Sequence, residues 1–253
     1  PGEQVEIANV SEDFGCLVLS GPRARNILGT ITPDLLDNEG FPWLRAREIK
    51  AAGITVRALR LSYVGELGWE LYVPVEMAAG LYDELMAAGE DLGLRNAGML
   101  ALGSLRVEKG YRSWGHDITP DETPLEAGLG FAVKYDKPGG FIGRDALLKQ
   151  KENGVVSKRL VQFLMKDPEV MIYHNEPIVR DGEICGYITG GMYGHTLGGS
   201  VGLGYVNNHI ESGGVNADYV NSGTYEIEVA CERFAADASL RPMYDPKNER
   251  IKS

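Results

Sequence analysis

The sequence predicts an α+β protein with a mixed first domain and a small all-β second domain. Helical and strand-like patterns alternate through residues 1–155, whereas residues 156–253 hold short β-rich runs separated by Gly, Asn and Asp turns. The 253 residues are 43% hydrophobic and 24% charged, which is typical of a folded globular chain. A disordered, collagenous or coiled-coil protein is therefore excluded.

Strands and helices are expected in turn along the first domain. The predicted strands lie at residues 5–19, near 49, at 54–61 and at 70–74. The predicted helices lie at residues 23–28, 75–92, 98–109 and 144–151. In the helix at 98–109, the spacing buries Leu102 and Leu105 and leaves Arg106 and Lys109 in water.

The second domain is predicted from four β-rich runs at the spacing of a small sandwich or barrel. These runs cover residues 160–164, 184–189, 201–206 and 224–229. The glycine-rich stretch 189–199 has neither the Lys-Ser/Thr of a phosphate-binding loop nor a GxGxxG spacing. We therefore predict that it forms tight turns.

Charge and cysteine content limit the partners and the compartment. Acidic residues outnumber basic ones 36 to 25, for a net charge of -11, which opposes general binding to nucleic acid or an anionic membrane. Cys16, Cys185 and Cys231 are far apart and show no zinc-binding spacing. We expect reduced thiols in the cytoplasm, and no apolar run approaches the roughly 20 residues that span a bilayer.

Histidines and nucleophile motifs indicate no catalytic or metal centre. The four histidines are scattered without ligand spacing, so we assign them to structure or surface and expect no metal; they are His116, His174, His195 and His209. Adjacent residues on an extended chain point to opposite faces, so His116 and Asp117 are not expected to share a role. The chain contains no G-x-S-x-G nucleophile elbow.

The first informative run, residues 61–73, combines aromatic and acidic residues with turn glycines. It is predicted to form a strand, a glycine-flanked turn and a second strand. Tyr63 could pack on a flat heteroaromatic ring while Glu70 accepts two N–H donors at the edge of the ring. An ordinary hairpin with Glu66 and Glu70 in solvent explains the same spacing, and spacing alone favours this second interpretation.

The second informative run, residues 104–131, places aromatic, cationic and acidic residues beside a helix end. Arg106, Glu108, Arg112 and Trp114 are candidates for the wall of a binding cavity, or for an ordinary helix surface. Composition and spacing alone therefore indicate an α+β protein with an aromatic, acidic pocket.

At these two runs the chain resembles the folate-dependent aminomethyltransferases, the family of the glycine cleavage T-protein. The family motif Tyr-x-Gly-Glu-x-Gly-x-Glu is met by Tyr63, Gly65, Glu66, Gly68 and Glu70. Within the family, the runs Tyr-Val-Gly-Glu-Leu-Gly-Trp-Glu-Leu and Thr-Pro-Leu-Glu-Ala-Gly-Leu are most similar to the C-terminal half of dimethylglycine and sarcosine dehydrogenases. The resemblance covers essentially the whole chain, and it implies an aminomethyltransferase-type folate domain at 1–155 and a β-barrel domain at 156–253.

The resemblance also implies roles for individual residues. Glu70 would bind the pterin edge, since N3–H and the 2-amino group lie side by side, and Tyr63 and Tyr72 would line the folate pocket. Phe131 matches a position usually held by Tyr or Trp against the folate. The anionic glutamate tail of folate could meet Arg106, Lys109 or Arg112, although a helix-surface role explains these cations equally well.

Two departures from the family pattern are visible. The T-protein branch carries Ala-Arg-Asp, with a folate-contacting Arg, where this chain has Ala101, Leu102 and Gly103. Family members also have roughly a hundred further residues upstream, as the resemblance implies, including the carboxylate thought to assist the folate chemistry. The catalytic residue is therefore unknown here, and a start at Pro1 is expected of a fragment or a processed product.

The function implied is one-carbon capture in an N-methyl amine dehydrogenase. An FAD domain outside this chain would oxidise the amine, and tetrahydrofolate bound here would form 5,10-methylenetetrahydrofolate. This chain alone is expected to bind folate but to turn over poorly or not at all. Two alternatives are a stand-alone aminomethyltransferase and a non-catalytic folate-binding scaffold, whose family relatives carry a reactive Cys loop that this chain lacks.

Overall fold

The computed structural model describes residues 4–253, so the first three residues of the predicted first domain lie outside the described residues. The chain forms two compact units. One runs to Gly98 and includes Lys247–Ser253, and the other is Met99–Pro246. These units differ from the sequence domains, whose boundary near residue 155 stays a prediction.

The first unit is a four-stranded antiparallel sheet with two helices. The strand order is β1-β4-β3-β2. The strands are β1 (Phe14–Ser20), β2 (Ala46–Ala51), β3 (Ile54–Leu59) and β4 (Gly68–Pro74). The helices are α1 (Ala24–Ile31), α2 (Ala78–Gly89) and the short C-terminal α6 (Glu249–Lys252). The strands and helices predicted between residues 5 and 92 are present, but β1 begins nine residues after its predicted start at residue 5, whereas the other ends are shifted by a few residues.

The core of this unit lies on one face of the sheet. Strand residues alternate between faces, and Trp69, Leu71 and Val73 of β4 are fully buried on the same face. Leu28 of α1 and Leu81 of α2 belong to the same hydrophobic cluster. The alternate residues of β4 therefore lie on the opposite face of the sheet.

The connection between β3 and β4 differs from the predicted glycine-flanked turn. The two strands pair antiparallel, but residues 60–67 between them form an eight-residue loop. Ser62 Oγ accepts hydrogen bonds from the backbone N–H groups of Val64 and Glu66, both at 3.2 Å. The Ser62 side chain thus supplies a hydrogen-bond acceptor for two loop amides that lie outside the strand ladder.

The second unit is a closed antiparallel barrel with three helices in the described part of its chain. The order around the barrel is β10-β5-β8-β7-β6-β9. The strands are β5 (Lys158–Met165), β6 (Pro177–Arg180), β7 (Glu183–Gly194), β8 (Gly199–Asn207), β9 (Tyr225–Val229) and β10 (Glu232–Ser239). The helices are α3 (Met99–Glu108), α4 (Arg144–Asn153) and α5 (Ala217–Ser222). The predicted barrel is confirmed, but β6 and β10 were not expected.

The glycine-rich stretch forms strands rather than the predicted turns. β7 continues through Gly194, and only residues 195–198 separate it from β8. A Cβ on Gly191 would lie 2.7 Å from the backbone oxygen of Ile172. Glycine is therefore needed here for close approach of backbone within the barrel, which explains a composition that is otherwise typical of turns.

Candidate functional site

The strongest candidate site lies on β4, on the face of the sheet away from the core. Glu70 and Tyr72 are two residues apart on the strand, so their side chains share one face. On the neighbouring strand β1, Val18 is paired with Glu70 and Cys16 with Tyr72. Paired residues of an antiparallel ladder lie on the same face, which brings Cys16 beside the two predicted site residues.

A hydrogen bond holds Glu70 and Tyr72 together. The Tyr72 hydroxyl donates to Glu70 Oε2 over 2.8 Å, and this bond, with burial and the nearby Cys16 and Glu70, raises the pKa of Tyr72 to about 12. Burial first and the charge of Glu70 second raise the pKa of the Cys16 thiol. The Glu70 carboxylate is therefore held in place by a neutral donor, the Tyr72 hydroxyl.

Glu70 retains acceptor capacity for a ligand. Among the described residues, its Oε1 accepts no hydrogen bond, and a carboxylate has about four acceptor positions in all. The side chain is half-buried, so it is partly accessible and its motion is restricted. A ligand edge with two parallel N–H donors fits such a group.

Tyr63 lies in the loop that leads into this strand. It is 37% exposed, and Gly65 beside it has a φ of 78°, in the left-handed region that favours glycine. At the other end of the loop, a Cβ on Gly68 would lie 2.5 Å from the backbone oxygen of Leu19. The motif glycines thus serve the turn and the close contact with β1.

Arg106 and Asp117 form a buried ion pair in the second unit. Arg106 Nη1 lies 2.7 Å from Asp117 Oδ2, and the Asp117 side chain is fully buried. The same carboxylate accepts from the Ser113 N–H at 2.8 Å and the Thr189 hydroxyl at 2.7 Å. This cluster connects the segment after α3 to β7. His116, which precedes Asp117, is exposed and takes no part in the cluster.

Glu108 and Lys109 at the end of α3 are buried. Glu108 Oε1 accepts from the backbone N–H groups of Thr196 at 2.7 Å and Leu197 at 2.9 Å, and so holds the turn between β7 and β8. Lys109 is 1% exposed and lies 3.2 Å from the carboxylate of Asp245. The prediction that Arg106 and Lys109 stay in water is therefore wrong, because acidic partners compensate their burial, Asp117 for Arg106 and Asp245 for Lys109.

The remaining predicted residues of this unit fall into one buried cation and two exposed aromatics. Arg112 donates from Nε to the Ala127 oxygen at 3.0 Å and from Nη1 to the Gly110 oxygen at 2.6 Å, and burial lowers its pKa. Trp114 is 69% exposed and Phe131 is 82% exposed. The contact of Phe131 with folate and the place of Trp114 in the cavity wall stay predictions.

Sequence reasoning missed two partners of the predicted residues. The sequence predicts Cys16 only as a reduced thiol, and it indicates no role that His116 and Asp117 would share. Alternation in β1 could have placed Cys16 outward, but only the pairing of β1 with β4 shows which residue it faces. Asp117 gave no periodic signal, because the segment that carries it is a loop.

Neither a metal-binding cluster nor a membrane-spanning helix is present among the described residues. Within residues 4–253, no group of three or more His, Cys, Asp or Glu residues is arranged to hold a metal ion. Over the same residues, no helix is long and apolar enough to cross a bilayer. The three cysteines are free thiols.

Family profiles match both parts of the chain. Residues 1–137 match the GCVT N-terminal domain, and residues 158–245 match the glycine cleavage T-protein C-terminal barrel domain. The predicted resemblance to this family and the predicted fold class are therefore confirmed.

Individual relatives are much longer than this chain. Human sarcosine dehydrogenase is 42% identical over 98% of this chain and 27% of its own length. The mouse pyruvate dehydrogenase phosphatase regulatory subunit is 39% identical over 94% of this chain and 28% of its own length. The crystal structure of aminomethyltransferase T from Bartonella henselae matches 92% of this chain and 60% of that protein, with a TM-score of 0.75 and 26% identity. The chain thus spans about a quarter of the length of these curated relatives.

Proposed function

The chain belongs to the glycine cleavage T-protein family, and from that premise we propose that it is the tetrahydrofolate-binding part of an FAD-dependent N-methyl amine dehydrogenase. The similarity to sarcosine dehydrogenase along 98% of the chain supports the dehydrogenase context. The absence of the T-protein Arg at Leu102 also supports it. The flavin would belong to another domain or partner, and the three free thiols suit a reducing compartment such as the cytoplasm.

The observation that carries the proposal is the Glu70–Tyr72 pair. The pterin edge presents N3–H beside the 2-amino group, and a carboxylate accepts both in a bidentate contact. Tyr72 already binds Glu70 Oε2, which orients the carboxylate before the ligand arrives. We assign Tyr72 a positioning role, and Tyr63 in the adjacent loop would pack on a ring face.

The chemistry of the step comes from the folate itself. Bound tetrahydrofolate would supply the nitrogen nucleophiles that take up the one-carbon unit as 5,10-methylenetetrahydrofolate. Glu70 would bind the pterin edge and keep it in one orientation, while Tyr72 stays protonated and holds the carboxylate. The protein would therefore contribute positioning, and no side chain of the described residues is assigned as a general acid or base.

Calorimetric titration with tetrahydrofolate tests the binding step. Glu70→Gln removes the charge from the edge contact, so we expect affinity to fall about tenfold to a hundredfold. Glu84→Gln is the matched control, because Glu84 is an exposed residue of α2, whose buried residues pack on the opposite face of the sheet. Equal affinity of the two variants would contradict the assignment of Glu70.

The full-length protein that contains this chain tests the transfer step. With sarcosine or dimethylglycine and tetrahydrofolate, we expect 5,10-methylenetetrahydrofolate to form. Glu70→Gln should suppress this product while dye-coupled amine oxidation continues, because oxidation would take place on the flavin domain. Loss of both reactions together would contradict the separation of roles.

Two other functions have specific support. A stand-alone aminomethyltransferase is supported by the fold match to the Bartonella enzyme, and it would transfer carbon from an aminomethylated carrier without amine oxidation. A non-catalytic role is supported by the similarity to a phosphatase regulatory subunit. Folate binding with neither oxidation nor transfer would favour this last function.

A further inference from the structure

A cavity of about 310 Å³ lies at one end of the barrel, where β5 begins and β10 ends. Its apolar wall is formed by Leu125, Val156, Val215 and Leu240. The end of α4 and the beginning of α5 complete the lining. Barrel mouths of this kind are frequent ligand sites, and all residues involved belong to the second unit.

Arg159 turns toward the inside of this barrel. Residues 161, 163 and 165 of β5 belong to the barrel core, and alternation places Arg159 on their face. Its partner on β8 is Val206, which is also a core residue. A guanidinium therefore stands at the mouth of an apolar barrel and lines the cavity.

The charge of Arg159 lacks a counterion. Nη1 donates to the Leu125 backbone oxygen at 2.7 Å, but Nε is buried without a hydrogen-bond partner. None of the ion pairs among the described residues includes Arg159, and burial lowers its pKa. The neighbouring cation Arg112, whose pKa is lowered by burial and by the charge of Arg159, adds repulsion.

A partly buried and unpaired cation is costly unless an anion accompanies it. The arrangement combines an apolar wall with a guanidinium that has an unused donor. We propose that the barrel mouth binds a small monocarboxylate with an apolar body, whose carboxylate pairs with Arg159 and whose body packs on the wall.

Benzoate is a suitable probe, and benzyl alcohol is its uncharged match. By calorimetry on the whole chain, we expect saturable binding of benzoate and much weaker binding of benzyl alcohol. Arg159→Gln should weaken benzoate about tenfold to a hundredfold, since a charge-assisted contact is lost. Arg233→Gln should leave affinity unchanged, because Arg233 lies on β10 beside Glu228 and outside the cavity lining.

A second variant covers the case in which Arg159→Gln does not fold. Ala217→Phe would fill the cavity from α5 and leave Arg159 in place, so benzoate binding should disappear while the circular dichroism spectrum is retained. Glu70→Gln should not alter benzoate affinity, which separates this site from the folate proposal. No saturable binding by the unaltered chain, or equal binding by Arg159→Gln, would overturn the proposal.

Discussion

Polar pairs on the first sheet and around the barrel differ in what surrounds them. Glu70 and Tyr72 lie half-buried on an outer face, and Glu70 Oε1 accepts no bond from the described residues. Arg106 and Asp117 are enclosed, and Asp117 accepts three bonds from three different partners. A polar pair with unused acceptors suits ligand binding, whereas a saturated and buried pair stabilises the fold. Residue type alone does not distinguish the two.

The largest effect on the free energy of unfolding is expected when the buried pair of Arg106 and Asp117 is broken. Asp117→Ala leaves Arg106 uncompensated, because the Arg106 side chain is only 12% exposed. We expect a loss of about 3–5 kcal/mol in the free energy of unfolding, measured by urea denaturation. Asp121→Ala, at an exposed aspartate of the same segment, is the control and should change stability by less than about 0.5 kcal/mol. Similar values for the two variants would mean that the buried pair does not stabilise the segment.

A smaller effect is expected on the outer pair. Tyr72→Phe removes one hydrogen bond to Glu70, so tetrahydrofolate affinity should fall about fivefold, while the free energy of unfolding changes by less than about 0.5 kcal/mol. Calorimetry and urea denaturation measure the two quantities. A large loss of stability with unchanged affinity would show that this pair is structural, like the one at Asp117.

The hydrogen bond itself can be checked by titration. The bond to Glu70 is the largest cause that raises the pKa of Tyr72 to about 12. Glu70→Ala removes the acceptor and should therefore lower the pKa of Tyr72 toward its ordinary value near 10, seen in the phenolate absorbance difference from Tyr72→Phe. An unchanged titration would mean that Glu70 does not accept the hydroxyl in solution.

The smallest effect on the free energy of unfolding is expected for an exposed ion pair on the surface of the barrel. Lys166 and Asp237 lie 3.2 Å apart, with side chains 59% and 64% exposed. Asp237→Asn should change the free energy of unfolding by less than about 0.5 kcal/mol, since solvent screens such pairs. A loss approaching that of Asp117→Ala would show that enclosure is not what distinguishes the buried pair.

The elements were predictable wherever one face of a strand or helix is apolar. β4 and α2 lie where their spacing placed them, with Trp69 and Leu81 in the core. Prediction failed where a residue contacts a segment that is distant in the sequence. Gly191 is an example, since it permits close contact with the backbone of Ile172 inside the barrel.

The candidate site was predictable in part, because a motif and the alternation of a strand are local features of the sequence. The motif identified Tyr63 and Glu70, and the two-residue spacing placed Tyr72 on the same face as Glu70. Neither motif nor spacing indicated that Cys16 would lie beside them, because strand pairing is a long-range property. The burial of Lys109 likewise depends on Asp245, which is distant in the sequence.

By itself, the sequence determined the family, the α+β class, the barrel and Glu70, the motif residue of the outer pair. These properties follow from local periodicity and from short runs of specific residues. Tertiary structure alone decided which polar groups are enclosed with partners, as at Asp117 and Glu108, and which keep unsatisfied capacity, as at Glu70 and Arg159. The physical reason is that desolvation and partner geometry depend on segments far apart in the chain, which no local pattern encodes.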